Sequence, residues 1–449
     1  MRKRLPRLGP DERRLILNCA RLRLDGPLLR QTEEILQKPL AWDLILLFAE
    51  LHSVATLVHH HLKRFERSGL VPPEARKRLL QLSHRAGYQN RQASQAFREL
   101  WQVFDGAGVP VIVLKGLSLV ELIYGSLGLR QLTKLDLLIP GEMVDTARTL
   151  LFRMGYVDRV RYPVQRLYRW LYSQLHLVRP VDFQVELLLH WDVVNRPRIH
   201  AIDLRRFWDD ATPARISGRG ALIPSIVDLV LYLCLQPDKH GYLNSSALHV
   251  EDPGGFVFAD WTDNRLIRFT DIYEVIQHYH GDIDWEALID RAKGSGLEGS
   301  IYSGLDWVTR LLGPAIPPWV LDRLRPPSPR RARRWIFEAL ARGPDERPSG
   351  TAVGALFRAW WLRRQKRSQL RLIRLLDLLE FIFPRRDELR LRYRLHSKKA
   401  TGAVYLFHIG KSLFRCTVGF FPWIFCLLNR RRPSAVLPQK TPFQGASRL

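Results

Sequence analysis

The stretch VIVLKGLSLVELIYGSLGLRQLTKLDLLIP, residues 111–140, decides the fold. Val109 to Leu114 is a short apolar run of strand type, and Lys115-Gly116 ends it. Leu117 to Tyr124 has room for two helical turns, and Gly125-Ser126-Leu127-Gly128 is turn material. Leu135 to Ile139 reads as a second strand, closed by Pro140-Gly141. Glu142 to Met154 follows as an amphipathic helix with Gly155 as its stop. Val181 to His190 alternates, with Asp182, Gln184, Glu186, Leu188 and His190 on one face and apolar residues on the other. The order strand, helix, strand, helix, strand predicts an α/β unit of about 80 residues.

Helical patterns lie on both sides of this unit. Leu15 to Leu51 and Glu74 to Phe104 carry apolar residues at helical spacing, and residues 222–312 return to helices. The predicted class is α+β: a small mixed-sheet core flanked by N- and C-terminal helical regions. The expected divisions are 1–105 (helical), 106–205 (α/β core), 206–325 (helical), 326–432 (a basic helical extension) and 433–449 (a disordered tail). The Gly-, Pro- and Asn-rich stretch 237–264 reads as an irregular insertion, and Arg325-Pro326-Pro327-Ser328-Pro329 as a boundary.

The chain of 449 residues has 70 Lys and Arg against 44 Asp and Glu, a formal charge of +26. This excludes an acidic binder of basic partners and points to polyanions. Residues 321–449 hold 29 of the basic and 8 of the acidic residues, so the excess belongs to the last third. That region invites contact of 326–432 with nucleic acid or an anionic membrane surface. Four scattered cysteines without CxxC spacing indicate neither a disulfide framework nor a zinc site. With no apolar leader after the basic N-terminus, the expected location is cytoplasmic, with a membrane-touching tail as the variant. His59, His60 and His61 point in three directions on a helix, so they cannot hold one metal.

Chemistry concentrates in the middle unit. A glycine at a strand end before a helix lets backbone amides approach a phosphate. Arg130, in the loop before the second strand, suits a phosphate partner. Asp136 and Glu186 are carboxylates in apolar strands, costly there without a partner. On neighbouring strands they suit a shared Mg²⁺ bridging nucleotide phosphates.

The 111–140 stretch resembles the signature of a bacterial nucleotidyltransferase-like family within the polymerase β-type superfamily. Lys115, Gly116, Tyr124, Arg130 and Asp136 match its pattern. Residues 41–62, 185–191, 268–276, 284–297 and 383–393 resemble further parts of it. The resemblance implies transfer of a nucleoside monophosphate from an NTP to a hydroxyl, pyrophosphate leaving. The acceptor is open: a small molecule, a protein or RNA. It also implies metals held by an Asp-x-Asp pair and a third acid on a later strand. On this basis the candidate catalytic residues are Asp136 and Glu186, and the metal ligands Asp136, Glu186 and Asp182. Nucleotide falls to Lys115, Gly116, Ser118, Arg130 and Lys134.

Here the sequence departs from the pattern. The first acid of the pair is Lys134, which shares a strand face with Asp136 and repels a divalent ion. The expected outcome is an ion pair of Lys134 with Asp136 or Glu186 and a lost two-metal site. The third acid position falls on Leu188, with Glu186 shifted along the strand; Gln236 stands where the family tends to have histidine. These departures favour a pseudoenzyme that keeps nucleotide or partner binding. Activity survives only if Lys134 itself binds triphosphate or Asp182 supplies the missing ligand.

Overall fold

The computed structural model describes residues 8–158, 173–179, 185–193, 202–239 and 265–325. Asp182, most of the expected insertion at 237–264, the basic extension 326–432 and the tail 433–449 lie outside the described residues.

Among the described residues there are thirteen α-helices and one seven-stranded sheet. The N-terminal helices are α1 (Pro10–Cys19), α2 (Gly26–Leu36), α3 (Trp42–Leu51), α4 (Ala55–Leu62) and α5 (Pro73–Gly106). The central part runs β1 (Ile112–Lys115), α6 (Leu117–Leu122), β2 (Lys134–Leu138), α7 (Val144–Arg153), β3 (Val157–Asp158), β4 (Gln174–Val178) and β5 (Glu186–His190). After it come α8 (Leu204–Asp209), β6 (Thr212–Ile216), β7 (Arg219–Ile223) and α9 (Ile226–Lys239). The last helices are α10 (Leu266–His278), α11 (Trp285–Ser295), α12 (Glu298–Leu312) and α13 (Pro318–Leu324). The class is α+β with helical flanks, as the sequence predicts. No described helix is long and apolar enough to cross a membrane.

The sheet order is β3-β4-β5-β2-β1-β7-β6. The β2/β5 and β1/β7 pairs are parallel and the others antiparallel. One sheet face buries Val113, Leu135, Leu137, Leu175, Leu177, Leu187 and Leu189 against α5 and α7. The opposite face carries Ile112, Leu114 and Leu138, which pack with Phe207 of α8 and Tyr232 of α9. The α1–α4 helices and α9–α13 share one further core, with Trp307 at its centre.

The structure adds strands that the sequence reading did not contain. β3 and β4 are two of them. The others form the β6–β7 hairpin, which lies inside the range 206–325 expected to be helical and joins the sheet beside β1. Its loop is Ser217-Gly218, both at positive φ (50° and 78°), the backbone of a tight hairpin turn. Glu121 of α6 holds that turn, accepting from Ser217 N and Oγ at 2.7 Å each. The third strand begins at Glu186 within the described residues, later than the alternation suggested. His61 is buried, with Nε2 2.6 Å from the Arg21 carbonyl, and burial pushes its pKa down to about 4. It is a packing residue of α4.

Candidate functional site

Asp136 lies mid-strand on the sheet face shared with Leu138 and Tyr232. Strand alternation sends Lys134, Asp136 and Leu138 to that face, and Leu135 and Leu137 to the other core. The parallel partner β5 contributes Glu186 opposite Lys134, Leu188 opposite Asp136 and His190 opposite Leu138. The residue facing Asp136 across the pair is therefore leucine, and Glu186 sits one side-chain repeat away, beside the lysine.

Lys115 reaches this face through an irregularity. β1 pairs Ile112 with Leu138 and Val113 with Leu137, and then Lys115 with Asp136. Without the bulge at Leu114, regular pairing would place Lys115 opposite Leu135, towards the apolar core. The extra residue turns it to the acid instead. Gly116 comes next at φ 76°. A Cβ there would stand 3.1 Å from the Lys134 carbonyl, so both backbone conformation and space require glycine. Ser118 is buried in the short α6 helix.

The charges on this face are paired. Lys115 Nζ is 3.6 Å from Asp136 Oδ2, and Lys134 Nζ is 3.7 Å from Glu186 Oε2. His190 Nε2 lies 3.2 Å from Asp136 Oδ1, and His176 Nε2 lies 3.0 Å from Glu186 Oε2. The expected pairing of Lys134 falls on Glu186. Asp136 and His190 are buried, whereas Lys134 is 37% exposed. Burial pulls the Lys115 ammonium below its usual pKa. The Asp136 charge opposes that pull, and Arg130 and Arg268 reinforce it. Burial and the Asp136 charge push the Tyr232 phenol upward. Gln236, one turn on, donates to the Tyr232 carbonyl at 3.2 Å.

Arg130, expected from the sequence to partner phosphate, is bonded to Asp271. Its Nε and Nη2 donate to both oxygens of Asp271 on α10, at 2.7 and 2.6 Å. Tyr124 donates its hydroxyl to Asp271 Oδ1 at 2.9 Å. Burial works against the Arg130 charge, but Asp271 outweighs it and the pKa ends above the ordinary value. Two motif residues, Tyr124 and Arg130, thus anchor the loop before β2 to α10. Asn90 of α5, absent from the sequence-level candidates, fixes the same loop. Its Nδ2 donates to the carbonyls of Leu127 and Arg130 at 2.7 Å each, and its Oδ1 accepts from Leu132 N at 3.0 Å. The only available sequence signal was a lone amide on an otherwise apolar helix face.

Asp136 is faced by an ammonium and an imidazole. Among the described residues, which leave out Asp182, no three His, Cys, Asp or Glu side chains are grouped to hold one ion.

A family model described as an uncharacterised nucleotidyltransferase matches residues 38–313, and the chain belongs to that family. The match runs from before α3 to the end of α12, so the helices around the sheet are part of it. No curated protein and no solved structure matches the chain.

Proposed function

We propose that this member of the nucleotidyltransferase family has exchanged one acid of its metal centre for Lys134, and binds a nucleotide or another phosphate-bearing partner without metal-dependent transfer. The observation that carries this is the register of β2 against β5, which sets Lys134 beside Glu186 and leaves Leu188 opposite Asp136. Two ammonium groups occupy the sheet face where a divalent ion would need carboxylates. A cation at such a position repels a metal and attracts phosphate, so the exchange favours the anion itself. Lys115 and Lys134 are held at ion-pair distances beyond a good hydrogen bond, and an arriving phosphate competes for both.

The test is calorimetric titration of the full chain with ATP and the other NTPs, with and without Mg²⁺, beside Lys134→Asp. The expected result is that Mg²⁺ does not strengthen wild-type binding, whereas the variant gains magnesium-dependent NTP binding. Magnesium-dependent binding by wild type, with pyrophosphate release, would overturn the proposal and return the protein to the active members of its family.

A further inference from the structure

The ten residues of α3, WDLILLFAEL, include only two charged side chains, Asp43 and Glu50. Ile45, Phe48 and Ala49 enter the helical core. Trp42, Leu46 and Leu47 stay half-buried and form the apolar wall of a groove of about 460 Å³ between α3 and the start of α5. A helix apolar on every side is a covered helix in a folded protein.

Acids rim this groove, in a chain whose formal charge is +26. Glu50 is taken by Arg78 of α5 at 2.9 Å. Asp43 and Glu74 are exposed and have no ion-pair partner among the described residues. Each lies in the first turn of its helix, where the helix dipole suits a carboxylate. That role leaves the apolar wall between them uncovered.

A basic segment starts beside the groove. The described residues begin at Leu8. Gly9 stands against the Glu12 carboxylate, which accepts from Ala41 N at 3.0 Å, and Asp11 meets Lys38 at 2.9 Å. The chain before Leu8 therefore departs from the turn that leads into Trp42. Residues 1–7, MRKRLPR, hold Arg2, Lys3, Arg4 and Arg7 around Leu5, and no acid. Seven residues reach at most about 25 Å, and the ten residues of α3 are about 15 Å long. The segment is thus long enough to run the length of the groove. A tether this short gives an effective concentration on the order of millimolar, at which weak surface pairs suffice.

We infer that the groove between α3 and α5 seats the basic N-terminal segment of its own chain, with Asp43 and Glu74 pairing its cations and Leu5 covering the apolar wall. A basic peptide from another protein offers the same charges without the tether. An anionic membrane is repelled by the acids.

Two measurements on the full chain test this. A zero-length carbodiimide joins lysine amines to carboxylates in contact, and mass spectrometry locates the links. The expected links run from Lys3 to Asp43 or Glu74. Limited trypsin digestion then reads the rate of cleavage after Arg4. The groove variant carries Asp43→Asn and Glu74→Gln. A control carries Asp105→Asn and Glu142→Gln, two exposed acids elsewhere. Circular dichroism checks that both keep the fold. Cleavage should be about fivefold faster in the groove variant than in wild type, with the control unchanged. Raising the salt should bring wild type towards the groove variant. Equal rates in wild type and groove variant would overturn the inference, as would equal acceleration in groove and control variants. Links from Asp43 and Glu74 only to lysines outside residues 1–7 would also overturn it and assign the groove to another basic segment.

Discussion

Two groups of paired charges sit near each other in sequence and behave differently. Arg130, Tyr124 and Asp271 form a buried set with bonds of 2.6–2.9 Å across more than 140 residues of chain. Lys115, Lys134, Asp136 and Glu186 form a half-open set on adjacent strands, with ammonium–carboxylate distances of 3.6 and 3.7 Å. In the sequence, Arg130, Lys115 and Lys134 are three similar cations in one motif. In the fold, the arginine is spent on holding a helix, and only the lysines stay near solvent. Burial and bond geometry, rather than residue type, separate a cation that builds the frame from one that can exchange its partner.

Breaking the buried set should have the largest effect. Asp271→Ala leaves the Arg130 guanidinium and the Tyr124 hydroxyl buried without their shared acceptor, and should cost about 3–5 kcal/mol in a urea unfolding titration. A loss below about 1 kcal/mol would erase the distinction between the two groups.

Glu274, one turn beyond Asp271, sharpens the same comparison through pH. It accepts from Leu22 N at 2.8 Å, and burial raises its pKa from 4.5 to about 7, with Asp271 adding to the rise. The folded state therefore holds this proton more tightly than the unfolded chain. Its stabilisation is complete below the unfolded value and disappears as pH climbs through the folded one. Wild type should lose about 3 kcal/mol from this group between pH 4.5 and 7 relative to Glu274→Gln. Parallel pH–stability curves for the two proteins would contradict the assignment.

The smallest effect belongs to the open set. Lys134→Met removes a partly exposed pair and should change unfolding free energy by less than about 1 kcal/mol. A larger loss would mean that the sheet-face lysines are structural after all, and would count against their exchange for phosphate.

Parts of this were legible in the sequence because they are local. β1, β2, β5 and α7 follow from apolar runs, alternation and a glycine stop within a few residues of each other. The hairpin at 212–223 was not, since Thr-Pro-Ala-Arg-Ile scarcely alternates and Pro213 argues against a strand; edge position is what tolerates the proline. The Ser217-Gly218 pair was the turn signal available there. The ion pair of Lys134 was legible from the shared strand face, but its choice of Glu186 depends on register, which no single strand encodes. The pairing of Arg130 with Asp271 was not legible, because that partner lies 141 positions away. Periodicity along a chain carries no trace of such a distant contact.

The 34 residues of α5 form a rod of about 51 Å whose two ends are built into different apolar cores. A continuous helix cannot melt at one end without loosening side chains that the other core counts among its own. The sheet layer and the helical layer are thereby spliced into one cooperative block. Heating should dissolve them together, in a single calorimetric endotherm, with no half-folded remnant in which the lysine-bearing strands outlive the helices around them.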